Sequence, residues 1–207
     1  MLPAQRGAFC LRSIRSISLY KTYSSYMSEL LFPHGNYRAL KSFQNATIVY
    51  DFTVAFCERY VKDFRMRDQM VQAARSGRQN IAEGSAASGA SKKTELKLMS
   101  VARASLEELL LDYEDYLRQR GSMRWRKESI EAQGVRVLAY KSNRSYMTYK
   151  TYMENAESAA NAAICLTFQT TYLLDRQLRA LEKAFIEQGG FTERLYKTRK
   201  AKRGLAF

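Results

Sequence analysis

The chain has few of the residues from which most catalytic and metal sites are built, with one histidine, three cysteines and two prolines among 207 residues. A single histidine, His34, leaves no histidine pair for a zinc site and little room for a Ser-His-Asp triad. Cys10, Cys57 and Cys165 are odd in number and far apart, which favours a reducing, cytoplasmic compartment and unreactive thiols. These absences predict a protein that is not an enzyme and holds no metal or cofactor.

Proline and long apolar runs are also scarce, and both absences bear on the fold. Pro3 and Pro33 are the only prolines, so the rest of the chain avoids the penalty of about 3 kcal/mol that an interior proline imposes on a helix. The longest uncharged stretch, residues 158–174, is short and carries several polar side chains. It is therefore not expected to cross a bilayer.

Positive charge is abundant but unevenly placed. The formal net charge is +14, and residues 1–28 carry +4, residues 121–152 carry +5 and residues 191–207 carry +5. The remaining segments, which have the pattern of core helices, are net neutral. An excess of this kind favours an anionic partner such as nucleic acid, and its placement predicts that appendages rather than the body would make the contacts.

The first 28 residues are rich in Ser, Arg and Tyr and contain no acidic residue. Three interpretations stay open: a transit peptide, a disordered arm, or upstream codons translated from a mis-called start. Met27 opens a more ordinary beginning, and the hypothesis for residues 1–28 is a disordered arm or a mis-called start.

Four segments have the apolar period of a helix, at about residues 37–61, 65–83, 91–120 and 155–188. No segment alternates with the period of a strand. We therefore predict an all-α fold, namely an antiparallel up-and-down four-helix bundle over residues 29–190. An irregular insertion, residues 121–152, would precede the last helix, and a basic C-terminal tail, residues 191–207, would follow it.

The second helix has a close-packed side and a distinctive end. Small residues around Gly77 would let a neighbouring helix approach, and Gly84 is predicted to end the helix as a left-handed cap. Asn80 and Glu83 are interpreted as structural polar contacts that fix the register of two helices, with Lys93 or Lys97 as the partner of Glu83.

Two further segments offer places for an anion. The third helix would begin at a Ser91 cap followed by Lys92 and Lys93. This helix start is either an anion-binding site or a solvated turn. In the insertion, Trp125 is surrounded by basic residues and is followed by Tyr140, Tyr146, Tyr149 and Tyr152. Such aromatic residues either stack unpaired bases or pack the insertion onto the bundle.

The third helix also carries an acidic cluster in which Glu108, Asp112 and Asp115 share one face. Paired carboxylates could bind a metal or transfer protons, but they lack histidine partners. Residues 105–117 carry −5, whereas residues 59–78 are net positive. Opposite faces of this kind suit pairing between helices or identical subunits, and a merely solvated face is the alternative.

The run from Asp68 to Gly84, DQMVQAARSGRQNIAEG, resembles the signature of the bacterial four-helix bundle proteins, also called 23S rRNA intervening-sequence proteins. Its Asn-Ile-Ala-Glu-Gly ending is the most recognisable element, and residues 102–109 resemble the next helix of that family. Residues 112–117 and the late fourth helix are similar to the variant called four helix bundle suffix proteins.

The resemblance implies a small antiparallel bundle that assembles as a homopentamer and has no established catalytic activity. A related branch, the accessory protein of diversity-generating retroelements, binds nucleic acid and a reverse transcriptase through a basic pentamer surface. The insertion and the basic tail depart from the family pattern and coincide with two of the three positive segments.

We therefore predict a non-enzymatic, homo-oligomeric bundle that binds structured RNA, with ribosomal RNA as a candidate, and that has no membrane or small-molecule partner. The alternative is a protein-interaction module for assembly that does not bind nucleic acid. The structural motif is assigned to Asn80, Glu83 and Gly84. The predicted nucleic-acid contacts are Arg75, Arg78, Lys92, Lys93, Arg124, Arg126, Lys127, Arg199 and Lys200.

Overall fold

A computed structural model describes residues 35–204, so the predictions for residues 1–28 and for His34 lie outside the described residues. The described part is all-helical and contains no strand, which confirms the predicted fold class. Its α-helices are α1 (Lys41–Tyr60), α2 (Phe64–Ala87), α3 (Lys92–Gln119), α4 (Ile130–Leu138), α5 (Ala156–Gln188) and α6 (Phe191–Gly204). Two 3-10 helices, Tyr37–Ala39 and Tyr146–Glu154, precede α1 and α5.

The four long helices share one core. Helices α1 and α3 each pack against both α2 and α5. Contacts between α1 and the segment 153–177, which includes most of α5, run in opposite order along the chain. Near the beginning of α1, Ser42 donates a hydrogen bond to Gln177 at 2.8 Å. At the other end of α1, the Tyr60 hydroxyl donates to the Met153 carbonyl at 2.5 Å. The apolar faces predicted from the helical period meet in this shared core.

The helix ends follow from short polar side chains at the preceding residues. Asp63 and Asn155 accept hydrogen bonds from the backbone amides three residues ahead, at 2.7 and 2.8 Å. The predicted Ser91 cap of α3 is confirmed, since its hydroxyl accepts from the Thr94 amide at 3.1 Å. Gly189 has a φ of +69° and ends α5, as the Gly-Gly pair in the sequence indicates.

The prediction that Gly84 caps α2 is wrong. The helix continues to Ala87, and Gly84 lies buried inside it. A Cβ at Gly84 would lie 3.3 Å from the Leu98 Cβ and from the Met99 Cε, so this glycine serves the approach of α3 rather than a left-handed turn. The connection between α2 and α3 is accordingly a short turn at residues 88–90.

The insertion and the tail contain more helix than their sequence patterns indicate. Helix α4 is nine residues long and lies within residues 121–152, which were expected to be irregular. Ser129 accepts from the Ala132 amide at 3.2 Å and begins it. In the tail, the described residues continue past Gly190 as α6, whose side chains are mostly exposed or half-buried.

Candidate nucleic-acid interface

A cleft of about 810 Å³ lies between the insertion, the beginning of α1 and the outer face of α5. The insertion contributes several residues between 124 and 144, and α5 contributes several residues between 164 and 173. Tyr140 lines the cleft and is 90% exposed, so the cleft is open to solvent. Its volume is in the range of sites that bind small molecules.

Five of the side chains that line this cleft are basic, and among the described residues that line it none is acidic. They come from α1, from the segment before α4, from α4 and from the turn after it. One of the five charges is offset, because Glu114 on α3 forms an ion pair with Arg124. The basic residues are Lys41, Arg124, Lys127, Arg136 and Arg144.

Two hydrogen-bonded anchors hold the insertion against the bundle. Asn161 of α5 is 1% exposed; it accepts from the Trp125 amide at 2.7 Å and donates to the Met123 carbonyl at 2.9 Å. At the other end, Arg144 donates to the Asn45 side-chain oxygen of α1 at 2.9 Å. The walls of the cleft are therefore fixed at both ends by polar groups of the core helices.

The sequence left two roles open for the aromatic residues of the insertion, namely stacking of unpaired bases and packing of the insertion onto the bundle. Tyr149 is buried, and Tyr146 and Tyr152 pack against the core. Trp125 is half-buried and meets the Tyr152 ring edge-on at 5.9 Å. Tyr140, by contrast, stays exposed at the rim of the cleft. Most of these rings pack the insertion onto the bundle.

Helix α5 contributes to the cleft, which was not predicted from the sequence. Phe168 and Tyr172 line it and are 43% and 61% exposed. Gln169 lies between them, and both polar atoms of its amide are buried without a hydrogen-bond partner in the described structure. Residues 165, 168, 169, 172 and 173 recur at steps of three and four, and this second stripe on α5 was a detectable signal.

The described thiols are not poised for chemistry. Burial raises the pKa of Cys57 to about 12, and Cys57 is fully buried in the core. Burial also raises the pKa of Cys165, which lines the cleft, although Arg136 and Arg124 partly oppose the shift. Neither thiol is therefore activated as a nucleophile.

Three of the predicted nucleic-acid contacts come from the insertion, and the structure brings two of them to the cleft. Arg124 and Lys127 line the cleft. Arg126 is exposed but does not line the cleft. The guanidinium of Arg124 also lies 5.3 Å from the centre of the Phe168 ring. Arg124 is thus already engaged, while Lys127 is exposed.

The four predicted contacts on α2 and α3 lie away from the cleft, since none of them lines it. Arg75 and Lys93 are exposed. Arg78 lies over the Tyr50 ring at 4.2 Å from its centre. Lys92 forms an ion pair with Glu95 at 2.9 Å. The structure therefore separates these residues from the insertion, and two of the four side chains already have partners.

Arg199 and Lys200 are exposed on α6 and do not line the cleft. The basic residues of the tail thus form a third region, separate from the cleft and from α2. The structure gathers the predicted contacts into three places rather than one continuous site.

The predicted structural motif acts mainly through close packing. Asn80 donates to the Ser76 carbonyl at 2.9 Å and to the Ser76 hydroxyl at 3.2 Å. Ser76 in turn shares a hydrogen bond of 2.9 Å with Ser105 on α3. Glu83 is exposed, and the described ion pairs do not join it to Lys93 or Lys97. Asn80 therefore bonds within α2, beside the Ser76–Ser105 contact with α3, and Glu83 forms neither of its predicted ion pairs.

The acidic cluster of α3 shares one face. Burial raises the pKa of Asp112 to about 6, and the neighbouring Glu108 and Asp115 raise it further. One carboxylate oxygen of Asp112 is buried without a hydrogen-bond partner. Within residues 35–204, no group of three or more His, Cys, Asp or Glu side chains is placed to hold a metal ion.

By its fold and by the close packing of α2 against α3, the protein is an all-helical domain that carries a cationic insertion. Residues 39–122 match the family model described as 23S rRNA-intervening sequence protein. This match spans helices α1 to α3 and supports the resemblance drawn from the sequence. It covers less than half of the chain.

The insertion, α5 and α6 lie outside the family match. No curated protein and no solved structure matches the chain. None of the helices among residues 35–204 combines the length and the apolar character needed to span a membrane.

Proposed function

We propose that this protein is a non-enzymatic, cytoplasmic, homo-oligomeric bundle that binds structured RNA through its basic surfaces. The observation that carries the proposal is the cleft, whose lining within residues 35–204 includes five basic residues and no acidic residue. Phosphate contacts account for most of the affinity of proteins for nucleic acids, so such a surface suits an RNA backbone. The name of the matching family, which refers to 23S rRNA, makes ribosomal RNA the first ligand to test.

The proposal includes the arrangement of the helices. The pairwise packing of α1, α2, α3 and α5 and the opposite order of their contacts support an antiparallel up-and-down four-helix bundle with a long connection before the last helix. In that arrangement α2 lies across the bundle from α5. The cleft and the basic residues of α2 would then serve different parts of an RNA, or different subunits.

RNA binding is tested by titrating a structured rRNA fragment with the protein at increasing salt. Affinity is expected to fall linearly on logarithmic axes, because bound cations release counterions from the phosphates. Replacing Arg126 and Lys127 together by Gln is expected to reduce that slope by about 1 to 2. Replacing Arg75 and Lys93 by Gln measures how much the basic residues of α2 and α3 contribute to RNA binding.

The matched control replaces Lys62, just before α2, and Arg65, in its first turn, by Gln, because both are exposed basic residues and the net charge changes equally. An effect of the control as large as that of the insertion variant would mean that only total charge matters. Absent binding, or an affinity that does not depend on salt, would overturn the proposal.

The alternative function is assembly without nucleic acid. It is favoured by exposed apolar side chains on the α2–α3 side of the molecule, where Phe64 is 67% exposed and Leu111 is 59% exposed. The acidic cluster of α3 lies on the same helix as Leu111 and would attract a basic face of another subunit. Under this alternative, purified protein carries no nucleic acid, and the ratio of absorbances at the nucleic-acid and protein maxima stays that of protein alone.

Native mass measurement tests the oligomer directly. The family resemblance implies five subunits, which corresponds to about 120 kDa for a chain of 23.9 kDa. Replacing Leu111 by Asp is expected to shift the assembly toward monomer if this face joins subunits. A monomer in the unmodified protein would overturn the oligomeric part of the proposal and leave RNA binding to be judged by the salt titration.

A further inference from the structure

The cleft holds three features that a purely electrostatic surface does not need. Exposed aromatic rings, an amide without a hydrogen-bond partner and immobilised guanidinium groups all face the same cavity of about 810 Å³. Each feature is unfavourable or unnecessary in an empty surface groove. Together they match the ring face of a base, its hydrogen-bonding edge and the phosphate of one nucleotide.

The aromatic part is formed by successive turns of α5. Phe168 and Tyr172 are four residues apart, so their rings lie on the same face of the helix. Both remain substantially exposed although they line a concave site. A flat apolar ring is the natural occupant of such a wall, because stacking on aromatic side chains is worth about 1–3 kcal/mol per base.

The amide of Gln169 lies between these two rings in sequence. Its oxygen and nitrogen are both buried without a partner in the described structure, which is costly for an amide. A side-chain amide offers one acceptor and a donor side by side, the pattern that pairs with the edge of adenine. A base in the cleft would supply the hydrogen bonds that Gln169 lacks.

The phosphate part is formed by two arginines of the insertion. Arg144 is held by Asn45 and, at 3.3 Å, by the Tyr149 hydroxyl. The Nε of Arg136 donates to the Ala132 carbonyl at 3.1 Å, and within the described structure its two terminal amino groups have no partner. Guanidinium groups fixed in this way are suited to a phosphate, which accepts two parallel hydrogen bonds.

We propose that the cleft binds one nucleotide, with its base against Phe168 and Tyr172, its base edge on Gln169 and its phosphate on Arg136 and Arg144. The nucleotide is either an unpaired residue of an RNA or a free mononucleotide, since both present the same chemistry. For the RNA source, the inference rests on the proposed function. Adenine is the base that the amide favours.

The free-nucleotide source is tested by calorimetric titration of the full chain with AMP, with ribose 5-phosphate and with inorganic phosphate. AMP is expected to bind at least about tenfold more tightly than ribose 5-phosphate, because only AMP stacks. The RNA source is tested with a hairpin whose loop contains adenosines and with a fully paired duplex of the same stem. The hairpin is expected to bind about tenfold more tightly than the duplex.

Two variants separate a ligand role from a structural one. Gln169→Leu removes the unpaired amide and is expected to leave thermal stability unchanged or higher, while the preference for AMP or for the hairpin falls about tenfold. Tyr172→Leu changes an exposed ring and is expected to act in the same direction, so it serves even if the first variant folds poorly. Phe64→Leu, which changes an exposed ring outside the cleft, is the control and is expected to have no effect.

The outcomes separate this inference from the proposed function. Equal binding of hairpin and duplex, without AMP binding, overturns the nucleotide site and leaves general RNA binding in place. Binding of AMP without binding of either RNA supports the nucleotide site and overturns the RNA function. Loss of binding in Phe64→Leu as large as in Tyr172→Leu also overturns the assigned site, and no binding of any ligand overturns both.

Discussion

The contact between α2 and α3 differs from the cleft beside α5 in how closely the helix surface is approached by the rest of the chain. At the first, Gly77 and Gly84 allow α3 so near that an added Cβ would meet Leu106 or Leu98 and Met99. At the second, α5 turns rings and an amide toward an open cavity. The first surface is closed by removing side chains, and the second is kept open by the insertion.

The difference shows how the chain separates stability from binding. The family match at residues 39–122 covers the close-packed pair entirely. Of the residues that line the cleft, only Lys41 and Asn45 fall within that match. Most of the proposed binding surface therefore lies outside the matched helices, and changes to the two surfaces are expected to have different consequences.

The largest effect is expected from breaking the close-packed contact. A Cβ at residue 77 would lie 2.8 Å from the Leu106 Cδ2 and Cγ, and Leu106 is fully buried. Gly77→Leu therefore overfills the contact and is expected to lower the free energy of unfolding by about 3 kcal/mol or more. Urea denaturation followed by circular dichroism measures the change.

The control for this prediction is Ala86→Leu, at an exposed position of the same helix, which is expected to change stability by less than about 0.5 kcal/mol. Adding Leu106→Ala to the Gly77 variant is expected to cost less than the sum of the two single changes, because it frees space for the new side chain. Strict additivity of the two changes would contradict the packing explanation.

The second effect is expected from releasing the insertion. Asn161→Ala removes the buried anchor of Trp125 and Met123 and leaves a backbone amide and carbonyl without their partner. A loss of about 2 kcal/mol is expected, together with a red shift of tryptophan fluorescence as the ring becomes exposed. Trp125 is the only tryptophan, so it reports this region directly.

The comparison residue for Asn161 is Asn80, whose amide hydrogen-bonds within its own helix. Asn80→Ala is expected to leave the emission of Trp125 unchanged, because it lies in the other region. A shift of equal size in both variants would mean that the two regions are not independent.

The sequence predicts most of the close-packed region and little of the cleft, for physical reasons. The helical period, the Ser91 cap and the small residues near Gly77 are local signals, and each describes a structure formed by nearby residues. Gly84 was misassigned because a glycine suits both a left-handed cap and a close helix contact. Only the position of Leu98 and Met99 on α3 decides between the two.

The cleft depends on contacts across long stretches of chain, which a local pattern does not reveal. Arg144 meets Asn45 of α1, and Asn161 meets the backbone around Trp125. The basic and aromatic composition of the insertion favours an anionic ligand. It did not indicate that α5 would complete the site, because the residues on the outer face of α5 form a shorter periodic pattern than its core residues do.

The smallest effect concerns the charge on the α3 side of the close-packed pair, where Asp112 has its pKa raised to about 6 by burial and by Glu108 and Asp115. A raised carboxyl pKa means that the folded state binds the proton more tightly, so stability decreases as pH rises from about 4 to about 6. Asp112→Asn removes this cost. After a reduction for solvent screening at this partly exposed residue, it is expected to stabilise the fold by about 1 kcal/mol near pH 7.

The stabilisation by Asp112→Asn should largely vanish near pH 3, because the carboxyl group is then mostly protonated in both states. Unfolding curves at the two pH values measure the difference, and Glu182→Gln, at an exposed position of α5, is the matched control with no expected change. A gain of the same size at both pH values would assign the effect to packing rather than charge. If that happened, the acidic face would no longer distinguish this side of the molecule from the cationic cleft.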